Sequence, residues 1–230
     1  MKKSKIGCDL KSCMLCRLCM KEWIPAIEAN RQTLLYKKGK LLFEEGQPMI
    51  GMFFVYEGTI KVHKQWGEKE LIMRFATKGD IVGHRGLGNE LTYPVSATVL
   101  EPSTVCFVSN EFFQSTLKVN HGFLYALMMF FAEELKVSER KMRNMAHMPV
   151  KGRIANALML LQNKFGKTEN GSINISLSRQ DLASYAGTTY ETVFRVLNEL
   201  EEGGYITTSE KEIIISDEAG LGSLFTEVKW

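Results

Sequence analysis

The chain has 230 residues, which is enough for two modest domains that each bury their own core. With 45% hydrophobic and 24% charged residues, its composition is that of an ordinary globular protein and argues against a disordered chain. The formal net charge of +3 permits nucleic-acid binding without indicating it. The sequence starts without the apolar core of a signal peptide, and its longest apolar run, 122–132, is too short to span a membrane. We therefore expect a cytoplasmic protein, in which five cysteines indicate metal, cluster or redox chemistry before disulfides.

The N-terminal segment, residues 1–25, is rich in cysteine. It contains Cys8, Cys13, Cys16 and Cys19, and the last three follow a C-x2-C-x2-C spacing. That spacing matches the first three ligands of a ferredoxin-type iron–sulfur loop, in which a remote cysteine completes the site. Cys106 is the remote cysteine here. We predict a 4Fe–4S cluster held by Cys13, Cys16, Cys19 and Cys106, with Cys8 as the reserve ligand.

Other interpretations of the cysteines stay open. The four N-terminal residues could hold zinc, although the second knuckle of a typical zinc site is missing. They could also form a reduced tail without metal. Cys106 alternates with Val105 and Phe107 in a predicted strand, so it is also compatible with a small core residue.

Residues 32–108 show short alternating apolar segments separated by glycine-containing turns. The predicted strands are Leu34–Tyr36, Leu41–Phe43, Met52–Tyr56, Thr59–His63, Leu71–Phe75, Ser96–Leu100 and Thr104–Val108. Strands of this length and spacing favour an antiparallel barrel or roll. We assign residues 26–120 to this sensor domain.

A long helix follows, from about 111 to 148, and residues 121–148 form its dimerisation part. Its apolar residues are spaced by threes and fours, close to a coiled-coil seam: Leu124, Leu127, Phe131, Leu135, Ser138, Met142 and Met145. The alternative is a helix that packs only on its own roll. Pro149 should end the helix, because proline removes a backbone donor and restricts the preceding residue. Residues 149–230 then form a second domain, beginning with a helix over 150–165.

Residues 177–206 predict two short helices joined by a tight turn. Ser178 and Asp181 resemble a capping box at the start of the first helix, and Gly187 is suited to end it. Either Thr188 or Thr189 can cap the second helix. The second helix would bury a stripe formed by Val193, Val196, Leu197 and Leu200. Residues 203–216 then resemble a β-hairpin wing.

The opposite face of that second helix carries residue types that recognise DNA. It shows Tyr190, Glu191, Phe194, Arg195 and Asn198. Arginine can bond to guanine, glutamate can accept from cytosine, and an aromatic ring can contact a thymine methyl group. We predict that Glu191 and Arg195 bind base edges while Tyr190 and Phe194 tune neighbouring positions. Phosphate contacts are assigned to Ser178, Arg179, Gln180 and Thr192.

The same residues have a purely structural interpretation. Glu191 could complete a capping box with Thr188, and Arg195 could pair with Glu199 on the helix surface. An enzyme is not expected, since His63, His84, His121 and His147 are scattered and none lies in a catalytic motif.

The whole arrangement resembles the Crp/Fnr superfamily of bacterial transcription regulators. The likeness covers residues 30–216 and rests on Gly46, Gly58, Gly79–Asp80 and Gly83, together with the motifs SRQD and ETVFRVL. It implies an α+β fold with a cyclic-nucleotide-binding-type β-roll, a dimerisation helix and a winged helix-turn-helix. It also implies a homodimer on palindromic double-stranded DNA with a TGA-like half-site, and RNA polymerase as a partner.

Two departures from the family pattern concern the ligand. Its cyclic-nucleotide binders carry Gly-Glu and Arg-Ser-Ala, where this chain has Gly83–His84 and Val95–Ser96–Ala97. Without the glutamate and the arginine, burying the charged phosphate of a cyclic nucleotide would cost free energy that no partner offsets. We therefore predict no binding of cyclic AMP.

The iron–sulfur branch of the family places one cysteine at the end of the roll, in a segment that resembles Glu101–Cys106. The resemblance thus implies sensing of oxygen, redox state or nitric oxide. Alternatives are a regulator that responds to another small ligand or to thiol oxidation, and, from a different class, an iron–sulfur electron carrier.

Overall fold

The computed structural model describes residues 2–3, 9 and 11–225. The reserve ligand Cys8 lies outside the described residues. The chain divides into two compact units between Leu135 and Lys136. Among the residues described, no helix is both long and apolar enough to cross a membrane.

The first unit combines short N-terminal helices, a set of strands and two further helices. In chain order its elements are β1 (Lys2–Lys3), α1 (Met14–Leu18), α2 (Ile24–Asn30), β2 (Arg31–Tyr36), β3 (Leu41–Phe43), β4 (Gly51–Glu57), β5 (Ile60–Trp66), β6 (Lys69–Ala76), β7 (Ile81–Val82), β8 (Ser96–Val99), β9 (Ser103–Ser109), α3 (Asn110–Val119) and α4 (His121–His147). Single 3-10 turns cover Lys21–Trp23 and His84–Gly86. Helix α4 continues across the division between the units.

The strands form the predicted antiparallel β-roll, which is confirmed. One sheet has the order β1-β2-β9-β4-β7 and the other the order β3-β8-β5-β6. Strand β4 pairs with both β9 and β7 and is buried along most of its length, which explains its continuous apolar sequence GMFFV. Strands β1 and β7 were not predicted, because a two-residue strand has too little pattern to be seen in the sequence.

The apolar segment after the roll is two helices rather than one. Asn120, with φ −105° and ψ 80°, leaves the helical region between α3 and α4. Its side-chain oxygen accepts a hydrogen bond from Met20 N at 2.9 Å, and its amide donates to Thr116 O at 3.1 Å. The break therefore also holds the N-terminal segment, a contact between residues 100 positions apart in the sequence.

The second unit is a helical domain with a small hairpin. It contains α5 (Val150–Phe165), α6 (Arg179–Ala186), α7 (Tyr190–Glu202), β10 (Ile206–Ser209), β11 (Glu212–Ile215) and α8 (Glu218–Ser223). Pro149 lies between α4 and α5, as the proline rule requires. The helix-turn-helix of α6 and α7 and the wing of β10 and β11 are confirmed, whereas α8 was not predicted.

Candidate functional site

Helix α6 begins and ends at the residues that the sequence indicated, and α7 begins after one of the two threonines that it offered. Ser178 Oγ accepts from Asp181 N at 3.0 Å, which caps the start of α6. Gly187 ends α6 in the left-handed region with φ 65° and ψ 49°, where a side chain would be strained. Thr189, rather than Thr188, caps α7 by accepting from Thr192 N at 3.3 Å. The turn between the helices is therefore set by local chemistry.

Helix α7 has one buried and one exposed face. The buried stripe consists of Val193, Val196, Leu197 and Leu200. Tyr190 and Phe194 keep 45% and 56% of their surface exposed, so two aromatic side chains lie at the surface on the other face. Glu191, Arg195 and Asn198 are exposed beside them. The structure thus brings all four predicted base-contacting residues onto one face.

Arg195 is paired on the protein surface. Its Nη1 lies 2.6 Å from Glu199 Oε1, and Lys151 Nζ lies 3.3 Å from the other oxygen of Glu199. The Arg195 side chain is nevertheless 67% exposed, and ion pairs of that kind contribute little to stability. The pair can therefore exchange for a base edge at low cost.

Glu191 is exposed at the start of α7. Bonds that its carboxylate accepts from its own backbone N–H and from the Thr189 side chain lower the pKa of that carboxyl. Because Thr189 and not Thr188 is the N-cap, Glu191 is the second residue of the helix, whereas a capping box places its glutamate third. The side chain stays fully exposed and charged, as an acceptor for a base amine must be.

The four predicted phosphate-contacting residues differ in their surroundings. Ser178 and Gln180 are exposed at the start of α6, and Thr192 is half-buried with its hydroxyl 3.1 Å from that of Thr189. Arg179 instead donates from Nη2 to Glu210 O in the turn of the wing at 3.0 Å. Burial lowers the pKa of Arg179. Its partner is a backbone carbonyl 31 residues away, which no sequence pattern reveals.

A second bond system holds the wing to α7. Glu201 accepts from Thr208 N at 2.7 Å through one oxygen and from Thr208 Oγ1 at 2.9 Å through the other. These bonds lower the pKa of the Glu201 carboxyl. Together with Arg179 they connect the hairpin to both helices of the helix-turn-helix, so the wing is a fixed part of the surface.

Arg153, on α5, was missed by the sequence reasoning. Its guanidinium donates to Met148 O at 3.0 Å, to Ala186 O at 3.0 Å and to Gly187 O at 3.2 Å. Met148 follows the end of α4, while Ala186 and Gly187 end α6, so one cation satisfies carbonyls at two helix C-termini. Arg153 thereby links the end of α4 to the turn of the helix-turn-helix.

Replacing Arg153 by alanine should lower the free energy of unfolding by about 1.5–3 kcal/mol, because hydrogen bonds from a charged group to partly buried carbonyls are lost. Denaturant unfolding followed by circular dichroism measures this. Arg140→Ala, at an exposed position of α4, is the matched control and should unfold like the wild type. Equal midpoints for both variants would contradict the role of Arg153.

Three of the N-terminal cysteines lie within the core of the first unit: Cys13, Cys16 and Cys19. Cys13 and Cys19 are the residues that flank α1 at its two ends, and Cys13 Sγ accepts from Cys16 N at 3.4 Å. All three side chains are buried, as is Cys106 in β9, and they belong to one continuous apolar core. Residues 13–19 are therefore an integral part of the unit's core.

Cys106 faces the helices that cover the roll. It lies opposite Phe54 of β4 and Thr33 of β2, so these side chains share one face of the sheet. Phe54 on that face contacts the ring of Phe113 in α3, with 6.4 Å between ring centroids. The N-terminal segment covers the same helix. Trp23 donates to Thr116 Oγ1 at 3.1 Å and stacks on Phe112.

The cysteines suit a thiolate-bound metal group in chemistry and burial. Burial and the neighbouring Cys13 raise the pKa of the Cys19 thiol to about 12, a cost that a coordinated cation offsets by deprotonating the sulfur. In the part of the chain that the structure describes, no three His, Cys, Asp or Glu side chains are arranged to hold a metal ion. The four cysteines therefore fit a cluster in residue type and in their shared location in the core. Their sulfur atoms are not gathered into a metal site among the described residues.

The interior of the roll beside Gly83 is filled with aromatic rings. Phe43 stacks on Tyr93 with centroids 3.8 Å apart, and Phe53 packs against both Phe43 and Phe107. The Tyr93 hydroxyl donates to Gly51 O at 2.8 Å. A Cβ added at Gly83 would lie 3.3 Å from the Tyr93 ring. His84, which stands where the cyclic-nucleotide binders carry glutamate, is buried against Phe130 and Phe131.

Comparison with known proteins assigns both units. Residues 33–120 match the cyclic nucleotide-binding domain, and residues 152–224 match the Crp-like helix-turn-helix domain. The anaerobic regulatory protein of Bacillus subtilis is 30% identical over 198 residues, which are 84% of this chain and 82% of the relative. The chain belongs to the Crp/Fnr family of transcription regulators. Members of this family bind DNA and act as dimers.

Other Crp/Fnr relatives differ in what their names report. The transcriptional activator protein anr of Pseudomonas aeruginosa is 28% identical, covering 93% of this chain and 91% of that protein. The cAMP-activated global transcriptional regulator CRP of Salmonella typhimurium is 30% identical, covering 78% and 87%. The structure of FixK2 from Bradyrhizobium japonicum is 21% identical, covers 86% of this chain and 99% of that one, and superimposes with a TM-score of 0.77, which supports the fold.

Proposed function

We propose that this Crp/Fnr protein is a dimeric, sequence-specific DNA-binding regulator that senses oxygen, redox state or nitric oxide through its cysteines. The main support for DNA binding is the exposed face of α7. Phe194 and Arg195 project from a helix whose other side is completely buried, and the wing is fixed beside it. RNA polymerase is the further partner that we expect.

Palindromic DNA is the target that such a dimer requires. The recognition helix α7 of each protomer would enter a major groove, and the two half-sites would be centred about 34–36 Å apart. Glu191 and Arg195 would select bases, whereas residues at the start of α6 would contact phosphates. By family likeness the half-site contains a TGA-like core.

The dimer contact is assigned to α4. Leu127 is buried in the first unit, and Phe131 packs on its core, so these two predicted seam residues serve the roll. Leu124, Leu135 and Met142 of the predicted seam are exposed, together with Met128. Residues 128, 135 and 142 repeat every seven positions, and residue 124 precedes them by four, which is the pattern of a coiled-coil seam. A second copy of this helix is the partner that this stripe fits.

Leu135→Glu should convert the dimer into a monomer, because it would place two carboxylates opposite each other at the helix pair. Since the side chain of Leu135 is 59% exposed, the protomer should still fold. Sedimentation velocity measures the mass. Affinity for a palindromic operator should fall at least about tenfold, equivalent to about 1.4 kcal/mol.

Leu160→Glu is the matched control, since Leu160 is 47% exposed and belongs to a different helix, α5. It should leave both the mass and the operator affinity unchanged. A dimeric Leu135→Glu protein at micromolar concentration would remove α4 from the interface.

Cys13, Cys16, Cys19 and Cys106 are the residues that would hold a 4Fe–4S cluster. When bound, such a cluster supplies reactivity towards oxygen and nitric oxide. Support comes from their shared core, from the position of Cys106 on the sheet face covered by α3, and from the packing of Trp23 on that helix. The ligand set stays a prediction, as does the reserve role of Cys8.

Hydrogen bonds within the chain suggest how a change at the cysteines would affect dimerisation. Met20 and Trp23, which follow Cys19, bond to Asn120 and Thr116 at the end of α3, directly before α4. A change in residues 20–23 would therefore act at Asn120, the residue that directly precedes the proposed dimer helix. Two states that differ by a few kcal/mol suffice for such a switch.

Cyclic AMP is not the proposed ligand. The rings of Phe43 and Tyr93 occupy the roll beside Gly83, and neither Val95 nor His84 supplies the charge that a cyclic phosphate or ribose would need. Isothermal titration should detect no micromolar binding.

Salt dependence distinguishes the regulator from an iron–sulfur electron carrier. A regulator should bind duplex DNA with an affinity that falls steeply as salt rises, because phosphate contacts release counterions. A carrier would show no retention on DNA at low salt. The metal content decides between cluster, zinc and thiol chemistry.

A further inference from the structure

Helix α4 presents a carboxylate to the roll at the end of its apolar stripe. Phe123 and Leu127 are buried, Phe130 and Phe131 are partly buried against the same core, and Glu134 follows at the helical spacing. The Glu134 side chain is only 17% exposed. An acidic residue at such a position needs compensation, since burying a charge without a partner is costly.

Three basic side chains of the roll surround one oxygen of that carboxylate. Arg85 Nη2 lies 2.7 Å from Glu134 Oε2, His84 Nε2 lies 3.7 Å from it, and Arg74 Nε lies 3.8 Å from it. Arg74 comes from β6, and the other two come from the 3-10 turn after β7. The carboxylate thus joins two separate parts of the roll to α4.

The basic groups differ in burial: His84 is fully buried, whereas Arg74 and Arg85 are partly buried. Arg74 donates to Ile81 O and lies over the ring of Phe130, with 5.9 Å to the ring centroid. Burial lowers the pKa of both Arg74 and His84, while Glu134 and Asp80 counteract this effect for Arg74. Burial raises the pKa of Glu134, but the neighbouring His84, Arg74 and Arg85 outweigh it and lower the value to about 2. Glu134 is therefore charged and serves as a counterion for the partly buried guanidinium groups.

A basic site inside a sensor domain would ordinarily attract an anion from solution. Here the anion is tethered to the helix that the site holds. We propose that Glu134 is a built-in carboxylate ligand of the roll, which occupies the site formed by Arg74, His84 and Arg85 and holds α4 without any small-molecule anion. The proposal is independent of the cysteines and of cluster content.

Chemical rescue tests the proposal on the full chain. Glu134→Ala removes the carboxylate, and its melting temperature should fall by about 4 °C or more. Formate or acetate should restore at least half of the loss, while chloride at equal ionic strength should not. The wild type and the neighbouring exposed variant Glu133→Ala should respond equally to all three salts.

Each outcome decides the question. Recovery specific to carboxylates supports an occupied basic site, and equal responses to formate and chloride would overturn it. If Glu134→Ala does not fold, Glu134→Gln replaces it, since glutamine keeps the volume and one acceptor oxygen but loses the charge. A lowered melting temperature for Glu134→Gln is then the expected result, and a value equal to that of the wild type would refute the built-in ligand.

Discussion

Arg195→Ala is expected to weaken operator binding by about 1–3 kcal/mol and to relax the preference for one guanine in each half-site. The guanidinium projects from the exposed face of α7 and pairs with Glu199 at the surface. A bidentate bond from arginine to guanine O6 and N7 accounts for an effect of that size. Fluorescence anisotropy with the operator and with a guanine-substituted operator measures both quantities.

The variant Glu199→Ala tests whether Arg195 acts by binding a base or only through its surface ion pair. It removes the partner of Arg195 and of Lys151 but keeps the guanidinium. If Arg195 binds a base, this variant should retain the guanine preference and bind at least as tightly as the wild type. An Arg195→Ala protein with unchanged affinity for both DNA sequences would leave only the structural role of the pair.

Cys106→Ser is expected to abolish bound iron and sulfide, as are the serine variants of Cys13, Cys16 and Cys19. Serine is close in shape to cysteine, but its hydroxyl is a poor replacement for a thiolate on a soft metal site. Iron and acid-labile sulfide measured on anaerobically purified protein provide the readout. Cys8→Ser is the matched control and should keep both elements.

The fold of the variants must be checked independently, because Cys106 is buried in β9. Cys106→Ala provides this check, since it removes the sulfur without placing a hydroxyl in the core. Circular dichroism should show the same secondary structure for all variants. Full iron and sulfide in Cys106→Ser together with their loss in Cys8→Ser would move the ligand set to the four N-terminal cysteines.

The sequence pattern was sufficient to predict those features of the fold in which residues close in the sequence are also close in space. The strands of the roll, the cap at Ser178, the left-handed Gly187 and the buried stripe of α7 all depend on residues within a few positions of one another. Their predictions are confirmed. The exposed face that carries Glu191 and Arg195 follows directly from the same helical period.

Contacts between distant residues were not predictable in the same way. Asn120 divides α3 from α4 and bonds to Met20, Arg153 bonds to carbonyls at Ala186 and Gly187, and Arg179 bonds to the wing. Each of these side chains looks ordinary in the sequence. Their roles depend on where the folded backbone places a carbonyl or an amide, which neither periodicity nor spacing encodes.

The predicted seam of α4 was partly predictable from the sequence and partly not. The three-four spacing correctly indicated an apolar helix, but it could not divide the apolar residues between the roll and a partner. Burial of Leu127 and exposure of Leu135 separate the two sets. In the sequence Glu134 looks like one more surface charge, whereas in the structure its carboxylate lies 2.7 Å from the guanidinium of Arg85.

The most direct test of the central claim is metal analysis followed by air exposure. Protein purified without oxygen should contain iron and sulfide and no stoichiometric zinc. It should bind its operator tightly, and air should remove the sulfide and weaken the binding at the same salt concentration. Zinc without sulfide would contradict the cluster, and identical DNA binding before and after air would contradict its control of the dimer.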